Sequence, residues 1–135
     1  MPTNNQQPIL YILMRTDLDS LNPGKAMAQA CHAANQFVFE IKNDYPKMNH
    51  VYKQWESEGG SFGTTIVLDG GTHERISGLI SMLKFDPRYV AGMVMDETYP
   101  IRDGQVTWTL PVETCGFIFC TRENAEILSS FSLHP

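Results

Sequence analysis

A three-layer α/β sandwich, with a mixed sheet held between helices, is the fold class this chain predicts. Three observations lead there. Short apolar or β-branched runs at 9–14, 64–68, 89–95 and 115–120 read as four buried core strands. Segments of helical period separate the first three runs, so their connections are crossovers that cover the sheet. The fourth run instead follows a hairpin signal: Asp103-Gly104 lies between strand-like 99–102 and 105–109. That run joins without a helical crossover, which makes the sheet mixed and adds a β-hairpin extension.

Taken in order, 1–8 is polar and proline-bounded and reads as a flexible tail ahead of one domain, 9–135. After the first strand, Asp17, Asp19, Ser20 and Asn22-Pro23-Gly24 turn the chain into a long helix ending near 42. Asn22 suits the N-cap, Pro23 the first helical position, and Gly24 leaves room for a close approach. On a helical wheel Met27, Ala30, Cys31, Ala34, Phe37, Val38 and Ile41 share the apolar face expected to meet the sheet. Lys25, Gln29, His32 and Gln36 stack along the opposite face. Asn43-Asp44-Tyr45-Pro46 ends the helix, and a short one at 47–56 carries Val51, Tyr52 and Trp55 inward. Beyond the second strand, Asp69-Gly70-Gly71 is a turn. A third helix then keeps Ile76, Leu79, Ile80 and Leu83 in period until Asp86-Pro87 stops it. A final short helix is expected at 124–131.

Composition narrows the function classes. A net charge of −5 argues against indiscriminate nucleic-acid binding, because phosphate neutralisation dominates such affinity. The charge is uneven, however: 1–55 holds five Lys or Arg against four acids, and 56–135 five against eleven. Any RNA footprint would draw on Arg15, Lys25, Lys42, Lys47 and Lys53, which are equally explained as scattered solubilising charges. Three cysteines, Cys31, Cys115 and Cys120, make a disulfide framework unexpected and fit no zinc spacing. No apolar run approaches the roughly 18 residues of a membrane span. A cytoplasmic protein with no membrane partner is the expectation.

The start of the long helix is where chemistry first suggests itself. Its unpaired N–H groups and the Lys25 ammonium together suit an anion, although Gly24-Lys25 lacks the spacing of a Walker loop. The stripe behind it is equally the solvated side of an amphipathic helix. Arg15-Thr16-Asp17-Leu18, then Gly24-Lys25, Ala28-Gln29 and His32-Ala33, resembles the signature of the peptidyl-tRNA hydrolase 2 family, and the resemblance runs from about 9 to 133. It implies a three-layer, mainly four-stranded sandwich, in agreement with the element order.

The resemblance also implies an esterase that cuts the bond between a peptide, or an N-blocked amino acid, and tRNA, with no metal and no cofactor. Its catalytic residues map onto Lys25, Asp96 and Thr114, and substrate-binding residues onto Arg15, Asp17, Gly24, Gln29 and His32. Each has a plainer alternative: Lys25 as a solvated lysine, Asp96 and Asp17 as turn residues, Thr114 as a strand opener, Gln29 as a surface residue, His32 as packing. Departures from the family pattern place the chain near its divergent, domain-containing branch. Asp96-Glu97-Thr98-Tyr99-Pro100 replaces the family's D-A-G-R-T-Q, and a longer hairpin separates Asp96 from Thr114. The rival reading is an inactive relative that binds RNA ends or a protein. A third is a small phosphate-ligand protein using the helix start. A homodimer is compatible with all of them.

Overall fold

The computed structural model describes residues 4–135. Strands β1 (Pro8–Arg15), β2 (Thr65–Gly71), β3 (Val90–Asp103) and β4 (Val106–Thr121) form one sheet in the order β2-β1-β4-β3. β1 lies parallel to β2 and antiparallel to β4, and β3 is antiparallel to β4, so the sheet is mixed as expected. Helices α1 (Pro23–Asp44) and α2 (Asn49–Ser57) cover one face and α3 (His73–Leu83) the other. Strand alternation splits the core accordingly. Leu10, Ile12, Met14, Phe117 and Phe119 meet α1 and α2, whereas Ile9, Tyr11, Leu13, Ile118 and Cys120 meet α3. Phe37 is the hub of the first layer. Its ring meets Trp55 edge-on at 5.3 Å and lies 4.7 Å from Phe119, contacts worth about 0.5–1.5 kcal/mol each beyond their burial.

Several local expectations are corrected. The hairpin is no separate pair, because β3 and β4 run on continuously to the turn, and Asp96 therefore lies within a strand rather than at its end. Asp103 pairs with Val106, which leaves Gly104 and Gln105 as the turn; of these only Gly104 has a positive φ, 61°. Glycine first is the pattern of a type II′ turn, not the type I′ that an Asp-Gly pair ordinarily signals. Asp69-Gly70-Gly71 belongs to β2, where the Asp69 N–H finds the Ser132 carbonyl of the C-terminal segment at 2.8 Å. The final helix is a 3-10 run, Arg122–Leu128, too short to amortise an α-helical nucleus. Of the predicted tail 1–8, residues 1–3 lie outside the described residues. Asn4–Gln6 is a 3-10 turn, the Gln7 carboxamide oxygen accepts from Arg122 Nε at 2.8 Å, and Pro8 opens β1.

The largest correction is the roll of α1. Its buried residues are Ala26, Gln29, Ala33, Phe37 and Ile41, a stripe rotated by roughly a quarter turn from the predicted apolar face toward the polar one. Met27 is 66% exposed and Cys31 is exposed too. The physical reason is polar partners. Gln36 Nε2 donates to the Met93 carbonyl at 2.8 Å, and Gln29 is engaged at both ends of its amide by side chains of β3 and β4.

Candidate active site

Two β-bulges shape the seam where α1 crosses β3 and β4. Val94 pairs with Cys115 but Met95 pairs with Glu113, so Thr114 is an extra residue on β4. Asp96 then pairs with Val112 and Tyr99 with Leu110, so β3 carries one extra residue opposite Pro111, and the register is restored. A bulge breaks the alternation of side chains. Thr114 and Cys115 therefore both turn to α1, the hydroxyl donating to Gln29 Oε1 at 2.7 Å and the thiol reaching the Gln29 carbonyl at 3.7 Å. Glu113 turns the other way and meets His73 Nε2 at 2.9 Å. Burial pushes the Cys115 thiol up to about 12, so it is neutral and no nucleophile.

At the centre is a chain of three side chains. Gln29, 3% exposed, donates its amide Nε2 to Asp96 Oδ2 at 2.7 Å. A carboxylate only accepts, so the amide nitrogen must face Asp96, the amide oxygen must face Thr114, and the Thr114 hydroxyl must donate. Thr114 is 0% exposed and reaches the site only through Gln29. The Thr98 N–H bonds Asp96 Oδ1 at 2.9 Å in an Asx turn, and the Thr98 hydroxyl adds a contact at 3.4 Å. Burial raises the Asp96 carboxyl, but the hydrogen bonds from Gln29 and Thr98 and the charge of His32 outweigh it, leaving it below the usual carboxylate value.

Lys25 stands one turn before Gln29 on α1. Asn22 caps the helix by accepting the Lys25 N–H at 2.9 Å, and the Lys25 ammonium donates to the Pro100 carbonyl at 2.9 Å. The same ammonium lies 5.1 Å from the centre of the Tyr99 ring, whose hydroxyl meets Ser20 Oγ at 2.9 Å. Lys25 and Asp96 thus share the α1–β3 seam without pairing: the ion pairs among the described residues are Arg15–Asp17, Arg88–Asp86 and, when the imidazole is protonated, His73–Glu113. His32 is exposed on the same helix and is felt at Asp96 through its charge. Gly24 is exposed, and a Cβ there would meet Asn22 Oδ1 at an ordinary 3.5 Å, so nothing within the protein demands glycine.

Arg15 and Asp17 gather elsewhere. Arg15 Nε donates to Asp17 Oδ1 at 2.8 Å and Nη1 to the Glu113 carbonyl at 3.0 Å, while the His73 N–H reaches Asp17 Oδ2 at 3.3 Å. The hydrogen bond from Arg15 is the main reason the Asp17 carboxyl sits below its usual value. This cluster joins α3 and the strand ends. Lys25, Gln29, His32, Asp96 and Thr114 assemble on the α1 side instead. Sequence reasoning missed Thr98 and Tyr99 at the site, as well as the His73–Glu113 pair. An Asp followed two residues later by Thr is a readable Asx signal, whereas a contact across 40 residues leaves no local mark. Among the described residues no three His, Cys, Asp or Glu side chains gather as metal ligands, and no helix is long and apolar enough to cross a membrane.

Comparison with known proteins sets this seam in context. No curated protein matches the chain. A family model described as peptidyl-tRNA hydrolase PTH2 matches residues 9–99, from the start of β1 through Tyr99 in β3. Lys25, Gln29, His32 and Asp96 lie inside the match; Thr114 and the outer hairpin arm lie beyond it. With two-thirds of the chain covered, β1 to Asp96 included, the protein belongs to the peptidyl-tRNA hydrolase 2 family.

Proposed function

We propose that this chain hydrolyses the ester between a peptide, or an N-blocked amino acid, and the 3′ ribose of tRNA, in the cytoplasm, using the α1–β3 seam. The observation that carries the reading is that neighbouring turns of α1 bring Lys25 to Pro100 and Gln29 to Asp96, so that both groups lie along one α1–β3 seam inside the stretch the family model matches. Ester hydrolysis needs a positioned water and a cation or N–H group where the tetrahedral oxyanion develops. The Lys25 ammonium donates one proton to Pro100, leaving two N–H groups for the oxyanion or a 3′ phosphate. Asp96, held anionic at neutral pH, orients the attacking water and stabilises the positive charge it gains. Its lowered pKa makes it a better electrostatic partner than a base. The proton the water loses goes to the departing 3′ oxygen, so that the ester C–O bond breaks to a carboxylic acid and a 3′ hydroxyl. Gln29 and Thr114 are positioning residues that fix the carboxylate. The working unit in this reading is the single domain 9–135, because Thr114 comes from β4, beyond the family match.

The test is incubation with an N-acetylated aminoacyl-tRNA, comparing wild type with Lys25→Ala and Asp96→Ala. Each variant is expected to lose on the order of 10²-fold in turnover. Unchanged hydrolysis in Lys25→Ala removes it from the mechanism. A second reading, a binding module for tRNA ends, is favoured by one fact: both oxygens of Asp96 already accept hydrogen bonds within the protein. Tight tRNA binding with no ester cleavage in the wild type decides for it.

A further inference from the structure

Beyond Tyr99 the β3–β4 arm leaves the body of the sheet, and its two faces differ. Cross-strand partners share a face, and side chains alternate along each strand. The pairs Tyr99–Leu110 and Ile101–Trp108 therefore lie on one face, and Pro100–Thr109 and Arg102–Thr107 on the other. The second bulge sets this phase: it turns Tyr99 to the α1 side, under the Lys25 ammonium, and so carries Ile101 and Trp108 onto that side as well. Trp108 is 56% exposed, next to half-exposed Leu110. It stands two residues outward from the Tyr99 level, about 7 Å along the strand. An apolar aromatic shelf thus continues the seam that holds Lys25 and Asp96.

We infer that Trp108 is a stacking platform for an unpaired nucleobase at the 3′ end of the tRNA, a contact that rests on the function proposed above. Charge selects a base over a phosphate. Residues 99–110 hold Arg102 and Asp103 as their charged side chains, and Arg102 is turned back to donate to the Gly104 carbonyl at 3.0 Å. An arm with no spare cation gives a phosphate nothing to pair with, whereas the face of a nucleobase is uncharged and stacks on an indole whatever its sequence. Position selects the 3′ end. With the ester at Lys25, the base of one of the last few nucleotides falls beside Trp108, since stacked bases repeat every ~3.4 Å. The arm thereby takes on grip that a surface without spare cations cannot draw from the backbone.

Intrinsic fluorescence tests this directly, because the only other tryptophan, Trp55, is 5% exposed. Titration with a short single-stranded RNA of the tRNA 3′-terminal sequence is expected to quench Trp108 emission in the wild type. Trp108→Ala should weaken binding of that RNA by on the order of tenfold, and Trp108→Phe by less, since a π face remains. With N-acetylated aminoacyl-tRNA the loss in Trp108→Ala should appear in KM rather than kcat. An unquenched Trp108 together with an unchanged KM overturns the platform while leaving the esterase reading intact. Quenching by the RNA in a protein that cleaves no ester does the reverse, keeping the platform and removing the enzyme. Concentration-dependent dimerisation abolished by Trp108→Ala, with no response to RNA, gives the shelf to a second copy of the chain and also overturns the platform.

Discussion

Asp96 holds a charge shaped by three donors: the Gln29 amide, the Thr98 N–H and the Thr98 hydroxyl. Partial burial alone would raise its pKa, and these contacts reverse the sign. A carboxyl lowered in the folded state adds stability above its unfolded value and loses it as pH falls through the folded one. The acid limb of any Asp96-dependent activity accordingly lies below the ordinary carboxylate range. Gln29 supplies the leading downward contribution, so Gln29→Leu, which keeps the burial and deletes the donor, should move the Asp96 titration upward. Carboxyl-carbon NMR of Asp96 in the two proteins measures the change. An unmoved titration would mean that Thr98 and His32 hold the charge without Gln29.

At the scale of elements, the bulges do the aiming. Without the extra residue at Thr114, regular alternation would turn Glu113 toward α1 and leave Gln29 without a hydroxyl partner. Thr114→Val keeps the shape but strands the buried Gln29 oxygen, at an expected cost of about 1–3 kcal/mol, whereas Thr114→Ser should stay near wild type. Urea unfolding of the pair checks this, and equal midpoints for Thr114→Val and wild type would show that the oxygen finds another donor. These devices also explain what was legible in the sequence. Four strands, three helices and the mixed sheet followed from apolar runs and helical period, which report burial directly. The roll of α1 did not, because a buried glutamine paired with partners 67 and 85 residues away looks, in a local window, like a solvated one. Bulges likewise leave no pattern in Val112-Glu113-Thr114-Cys115. Lys25 and Asp96 were therefore readable as candidates by resemblance, while the Gln29 link that places them on one seam was not.

On the scale of the whole molecule, the five cations that sequence reading offered as an RNA footprint do not crowd one site. Arg15 is committed to Asp17 on the α3 side. Lys42 lies seventeen residues beyond Lys25 on α1, about 25 Å away, and covers the Tyr52 ring at 5.5 Å. Lys47 follows at that far end of α1, and Lys53 is on α2. Within a chain of net charge −5, the proposed contact with a 3′ end would neutralise about one or two phosphates, chiefly through Lys25. For single strands log K falls with log[salt] at about 0.7 per phosphate neutralised, so the affinity for a short 3′-end RNA should fall by less than about tenfold between 50 and 200 mM salt. Binding titrations across that range measure the slope. A slope steeper than about −3 would demand a phosphate clamp that the seam does not contain. The same series with intact tRNA adds a second reading: a steeper slope there, lost when Lys42, Lys47 and Lys53 are replaced by Gln, would assign the far end of α1 to the tRNA body and leave the 3′ end to hydrogen bonds and stacking.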